Sequence, residues 1–126
     1  MHRILVVDDH EYMRAIVCGL IERDALVICG QAADGRQAVE QARILKPDLI
    51  ILDLHMPVLN GFDATREILV FSPQMPILIL SIEKTDLLSR ACEQHGARGY
   101  LEKSNASDNL LTAAKALLRQ ETYFSH

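Results

Sequence analysis

The chain has 126 residues, 49% hydrophobic and 24% charged, with a net charge of −4, which suits one globular domain around a single core. Its 13 Lys and Arg residues are scattered, so the clustered basic face of a nucleic-acid binder is not expected. No stretch approaches the roughly 18 apolar residues of a membrane helix, and the opening MHRILVV is too short for a secretory core and runs into Asp8 and Asp9.

A cytoplasmic protein is expected on these grounds. Cys18, Cys29 and Cys92 are far apart in apolar surroundings, and read as reduced core or near-core thiols rather than a disulfide frame or zinc site.

In chain order, two patterns alternate five times. Ile4–Val7 is a short β-rich run, followed by helical spacing from Glu11 to Glu22 with Ile16, Val17, Leu20 and Ile21 on one side. A second strand, Leu26–Gly30, leads through a turn at Asp34–Gly35 to a helix over Arg36–Leu45, closed by Lys46–Pro47. The third strand, Leu49–Leu52, precedes a helix near Gly61 to Phe71 that Ser72–Pro73 stops. The fourth, Ile77–Leu80, is followed by a helix from Asp86 to His95, ending at Gly96 as a left-handed cap. Gly99–Leu101 is a fifth strand, and Ser107–Arg119 the last helix. This alternation predicts an α/β fold, a (βα)5 doubly wound parallel sheet covered on both faces. The first, third and fourth strands are nearly all apolar, as central strands should be, and the short, mixed fifth belongs at an edge.

In such sheets ligands sit beyond the carboxyl ends of the strands. Asp8 and Asp9 follow strand one, Asp53 strand three, Ser81 strand four and Lys103 strand five. Each alone has an ordinary explanation: a helix cap, a turn or a solvated lysine. Together they put three carboxylates, a hydroxyl and an ammonium on one rim. Crowded carboxylates suit a hard divalent cation with oxygen ligands, and Mg2+ is the cofactor expected. A carboxylate beside it can act as nucleophile toward a phosphoryl group, with the hydroxyl and ammonium holding the phosphoryl oxygens. Met56–Pro57 and Gly61 would turn the chain away and keep Asp53 exposed.

The motifs ILVVDDH, DLIILDLHMPVLNG, PILILS and GARGYLEKS, spread over essentially the whole chain, resemble those of response-regulator receiver (CheY-like) domains. The resemblance implies a flavodoxin-like sheet of order 2-1-3-4-5 and a single receiver domain over residues 1–126. It implies that Asp53 is the phosphoacceptor, that Asp8, Asp9, Asp53 and the backbone carbonyl of His55 hold Mg2+, and that Lys103 contacts the phosphoryl group. Ser81 matches the switch hydroxyl and Tyr100 the aromatic whose rotamer reports phosphorylation. His55, Ile82 and Glu83 flank the pocket and are expected to tune phosphate lifetime, Ile82 by shielding. Ser104 stands where many receivers have a cis proline, so no strained turn is expected there. Leu87, Leu88, Tyr100 and Leu110 are candidates for the surface that changes, or plain core residues.

DDH followed by Arg14, with GARGYLEKSNASDNLLTAAKALLRQETYFS, resembles the NarL/FixJ (LuxR-type) subgroup. There a receiver leads through a linker to a helix-turn-helix domain, and QETYFSH falls about where that linker would begin. An excised receiver and a stand-alone one both fit. The function implied is a two-component signalling switch in the bacterial cytoplasm, controlling transcription through an absent or separate output domain. Its partners would be a sensor histidine kinase or phosphotransfer protein, with homodimerisation through helix four, strand five and helix five or another face. It would phosphorylate and dephosphorylate itself rather than act as an enzyme on separate substrates. The alternative is a degenerate receiver serving as a phosphorylation-independent interaction module. A small-substrate phosphatase is disfavoured because His55 stands where its second acid should be. A flavin or nucleotide binder would need a Gly-rich phosphate loop that is missing. His10 and His55 could recruit a transition metal, but the oxygen-rich rim prefers Mg2+.

Overall fold

A computed structural model describes residues 1–83 and 85–124. Along the chain run β1 (His2–Val7), α1 (Glu11–Ile21), β2 (Leu26–Ala32), α2 (Gly35–Leu45), β3 (Leu49–Asp53), α3 (Gly61–Phe71), β4 (Ile77–Ser81), α4 (Asp86–Gln94), β5 (Gly99–Glu102) and α5 (Ala106–Leu118). The five strands form one parallel sheet in the order β2-β1-β3-β4-β5. This is the flavodoxin-like order that the resemblance implies, with β5 at an edge as its mixed composition predicts.

The sheet alternates its side chains between two cores. Ile4, Val6, Leu49, Ile51, Leu78 and Leu80 face α1 and α5, where they meet Val17, Ile21, Leu110 and Leu117. Leu5, Val7, Ile50, Leu52, Ile77 and Ile79 face the other way, toward Ala38, Val39, Ala64, Ile68 and Cys92 of α2, α3 and α4. Central strands buried on both sides must be apolar at every position, and β3 and β4 are buried throughout. One expectation about packing needs correction. Ile16 is not on the buried stripe of α1 but 37% exposed, because Cys18 takes the inward place beside Val17. Leu110 lies in the α1/α5 core, on the opposite side of the sheet from Tyr100, while Leu87 is exposed.

β2 is two residues longer than its apolar run, and its register with β1 slips between Ile4↔Ile28 and Leu5↔Gly30, leaving Cys29 as the extra residue. All three cysteines are free, Cys18 and Cys92 buried and Cys29 half-buried. Burial pushes the Cys92 thiol up to about 12, so it stays protonated. A 3₁₀ turn, Lys103–Asn105, separates β5 from α5 and starts that helix one residue early. No peptide bond among the described residues is cis, consistent with Ser104 in place of proline.

The loop after β3 positions the site. Gly61 N–H donates to Leu54 O at 2.8 Å, folding the chain back onto the strand it has just left. A Cβ at Gly61 would stand 2.7 Å from Asp53 O, so only glycine allows this approach. Between them, Leu59 N–H donates to Pro57 O at 2.7 Å around Val58 at φ +71°. That is a γ-turn on a β-branched residue, a strained conformation. At the end of α4, Gly96 adopts φ +101°, the left-handed cap its position predicts.

Past α5, Gln120 reverses the chain at φ +66°. Tyr123 then lies along the free edge of β5, bridged in parallel to Gly99. Its N–H donates to Arg98 O and its carbonyl accepts from Tyr100 N–H, both at 2.9 Å. Of the segment QETYFSH, Ser125 and His126 lie outside the described residues.

Candidate functional site

Every acid singled out in the sequence comes to the carboxyl rim. Asp8 follows β1, Asp53 ends β3, and ligand atoms of Asp8, Asp9, His10 and Asp53 lie within 4.8 Å of one another. Lys103, just past β5, reaches in from the edge: its Nζ is 2.8 Å from Asp8 Oδ2 and 3.2 Å from Asp53 Oδ1. Ser81 ends β4, one residue beyond the register partner of Asp53. Asp53 itself is only 5% exposed, not open to solvent as its place before a turn suggests. The return of the chain at Gly61 and the Lys103 side chain close around it.

The electrostatics follow from three carboxylates facing one ammonium. Burial, then the charge of Asp8, push the Asp53 carboxyl above its usual range, and Lys103 only partly offsets them. Burial pulls Lys103 down, but the hydrogen bond to Asp8 and the charge of Asp53 outweigh it and hold the ammonium above its ordinary value.

The donors also differ in how far they are committed. Asp8 Oδ1 accepts from His10 N–H at 2.9 Å and Oδ2 from Lys103. Asp9 Oδ1 is buried without a hydrogen-bond partner. His10 Nδ1 stands 3.2 Å away but out of hydrogen-bonding alignment. A buried, orphaned carboxylate oxygen among other carboxylates fits a hard cation that prefers oxygen. His10 joins the cluster with a ring that is 69% exposed, whereas His55 turns away to Glu83.

The residues expected around the pocket form a connected set. The Ser81 hydroxyl is fully buried and accepts from Glu83 N–H at 3.1 Å. The Tyr100 hydroxyl donates to Glu83 O, and the ring is 5% exposed, so the aromatic is turned inward. Burial raises its phenol above the usual range, and it remains a donor. His55 Nε2 and Glu83 Oε1 lie 2.5 Å apart, bridging the loops after β3 and β4. Ile82 stands 73% exposed between Ser81 and Glu83. One contact had no sequence signal beyond a subgroup signature: Arg14 Nη1 donates to Asp8 O at 2.8 Å.

Two cavities, of about 400 and 330 Å³, open at the opposite end of the sheet, one lined by Arg43, Lys46, Phe71 and Met75, the other by Leu26, Lys115 and Leu118. Neither cavity includes a residue of the acidic rim, which is lined by carboxylates rather than by apolar side chains.

The response regulator receiver domain family matches residues 4–115. The chain is 33% identical over 126 residues to the response regulator GacA of Pseudomonas viridiflava, covering 99% of this chain and 59% of that protein. It is 34% identical over 101 residues to the chemotaxis protein CheY of Thermotoga maritima, covering 80% and 84% of the two. Among solved structures, a LuxR-family two-component response regulator from Aurantimonas sp. SI85-9A1 superposes with a TM-score of 0.95 at 32% identity, covering 99% of this chain and 90% of that one. The chain belongs to the response-regulator receiver family of two-component systems. It spans about 59% of the length of GacA.

Proposed function

We propose that this domain is a phosphorylation-driven switch in which Asp53 accepts a phosphoryl group from the phosphohistidine of a sensor kinase or phosphotransfer protein. The observation that carries this reading is the pairing of Lys103 with both Asp53 and Asp8, beside the orphaned oxygen of Asp9. An Asp53 oxygen attacks phosphorus, a C–O–P linkage forms, and the donor's N–P bond breaks with its electron pair returning to the imidazole. Mg2+, held by Asp8, Asp9, Asp53 and the carbonyl of His55, would neutralise charge on the carboxylates and phosphoryl oxygens. Lys103, already cationic and inside the pocket, can transfer a hydrogen bond from Asp53 to a phosphoryl oxygen.

The Ser81 hydroxyl has two competing partners, the Glu83 N–H it now accepts from and a phosphoryl oxygen to which it can donate. Moving it would disturb Glu83, whose carbonyl holds Tyr100, so the change would travel from the pocket to the surface of α4 and β5. Turning such an equilibrium from 1:99 to 99:1 takes about 5.5 kcal/mol. His55, Glu83 and Ile82 line the rim and would set how long the acyl phosphate lasts, with hydrolysis returning the carboxylate. The domain acts on itself and not on a separate substrate. Likeness to GacA and to a LuxR-family regulator supports a receiver over residues 1–126 that controls transcription through a DNA-binding output domain, in the cytoplasm. Homodimerisation through α4, β5 and α5, or through another face, would accompany it.

The test is incubation with acetyl phosphate and Mg2+, read by intact mass. A base-labile gain of one phosphoryl group that Asp53→Asn abolishes is the expected result. Its failure, with the small donor and with a cognate kinase, would favour a phosphorylation-independent interaction module instead.

A further inference from the structure

The loop after β1 carries two acids in succession, and one side chain grips the peptide between them. Arg14, in the first turns of α1, donates from Nη1 to Asp8 O at 2.8 Å and from Nε to Gln31 Oε1 at 3.3 Å. Gln31 lies near the end of β2, and its own carbonyl is held by Gln41 Nε2 at 2.7 Å. Asp8 is therefore fixed at every polar atom. Its N–H is bonded to Ala32 O, its carbonyl to Arg14, and its carboxylate to His10 N–H and Lys103. Asp9, joined through the same peptide, is the acid whose buried Oδ1 has no hydrogen-bond partner.

We propose that Arg14 is a positioning residue for the divalent-cation site: by tying the Asp8–Asp9 peptide to α1 and to the end of β2, it holds Asp9 Oδ1 where a cation can bind. This rests on the reading of the acidic rim given above. The guanidinium suits the role because its planar fork satisfies the Asp8 carbonyl and the Gln31 amide oxygen together, which a lysine ammonium on a flexible stem does not. Partners of this outer kind orient ligands without touching the ion.

The sign of the effect separates positioning from simple electrostatics. Arg14 adds positive charge beside the acids, and charge alone opposes a second cation. Were that its only influence, removing it would tighten Mg2+ binding. A positioning role predicts the reverse.

Calorimetric Mg2+ titration of the whole chain decides between them, using the natural protein, Arg14→Gln, Arg14→Lys and Gln31→Ala. Arg14→Gln and Arg14→Lys should each bind Mg2+ about tenfold more weakly, and Gln31→Ala should show a smaller loss in the same direction. Far-UV circular dichroism should be unchanged. Acetyl-phosphate labelling should need more Mg2+ to reach half its rate, yet approach the natural maximum at saturation. Equal or tighter binding in Arg14→Gln, or full rescue by Arg14→Lys, overturns the proposal. If Arg14→Gln fails to fold, Arg14→Lys and Gln31→Ala decide it by the same criteria. Absence of Mg2+ binding by the natural protein would instead sink the cation site itself, and this inference with it.

Discussion

Asp53 lies 5% exposed beside the ammonium of Lys103, which it shares with the carboxylate of Asp8. Its carboxyl is raised by burial first and by Asp8 second, so the folded state holds a proton there more tightly than the unfolded chain does. The cost of ionising it is absent below the unfolded carboxylate value of about 3.9. It grows as pH rises from there and is complete above the folded value, because in that window the native state binds more protons. Asp53→Asn keeps the shape and removes the charge, and Lys103 retains Asp8. At pH 7 without divalent cations the variant should melt on the order of a few degrees higher than the natural protein. Near pH 3 scanning calorimetry should find the two alike, and a lower midpoint for the variant at pH 7 would contradict this account.

At the scale of elements, the helices are built unequally. α2, α3 and α4 each begin with a side-chain cap, Asp34, Asn60 and Thr85, accepting from Gln37, Asp63 and Leu88 N–H. α4 has nine residues, with Ser89 and Cys92 its buried ones, so little burial anchors it beyond the cap. Thr85→Ala removes a 3.1 Å bond and should cost about 1 kcal/mol. Amide exchange at Leu88 should accelerate well beyond that at Ile50 or Ile79 in β3 and β4. Uniform acceleration would mean that α4 opens only with the whole domain. Element boundaries were legible where chemistry marks them: Asp34–Gly35 opens α2, Ser72–Pro73 ends α3, and Gly96 ends α4. The extra residue at Cys29 and the 3₁₀ turn at Lys103 were not. A bulge exists only against a partner strand, and the turn only because α5 must pack back across the sheet.

At the scale of the molecule, residues 121–124 complete the free edge of β5. Two backbone hydrogen bonds join Tyr123 to Arg98 and Tyr100, while Tyr123 and Phe124 pack against the two opposite cores. An uncovered strand edge invites pairing with another chain. Truncation after Gln120 should lower unfolding stability by about 2 kcal/mol through lost bonds and apolar cover. Sedimentation should then show concentration-dependent self-association. A truncated chain as stable as the parent, and no more prone to self-association, would show the strap to be idle.

The sequence by itself determined the architecture and the chemistry of the rim. Alternating apolar strands and amphipathic helices leave few folds that bury both, and a parallel sheet necessarily gathers its strand ends, bringing Asp8, Asp9, Asp53, Ser81 and Lys103 together. Tertiary structure alone decided how those groups share contacts. Asp53 is buried rather than open because Gly61 lets the chain return against it. Lys103 bridges two acids, Asp9 keeps an oxygen without a hydrogen bond, and Arg14, one turn into α1, grips the peptide that joins Asp8 to Asp9. Such pairings depend on distances across different elements, which no periodicity along one chain encodes.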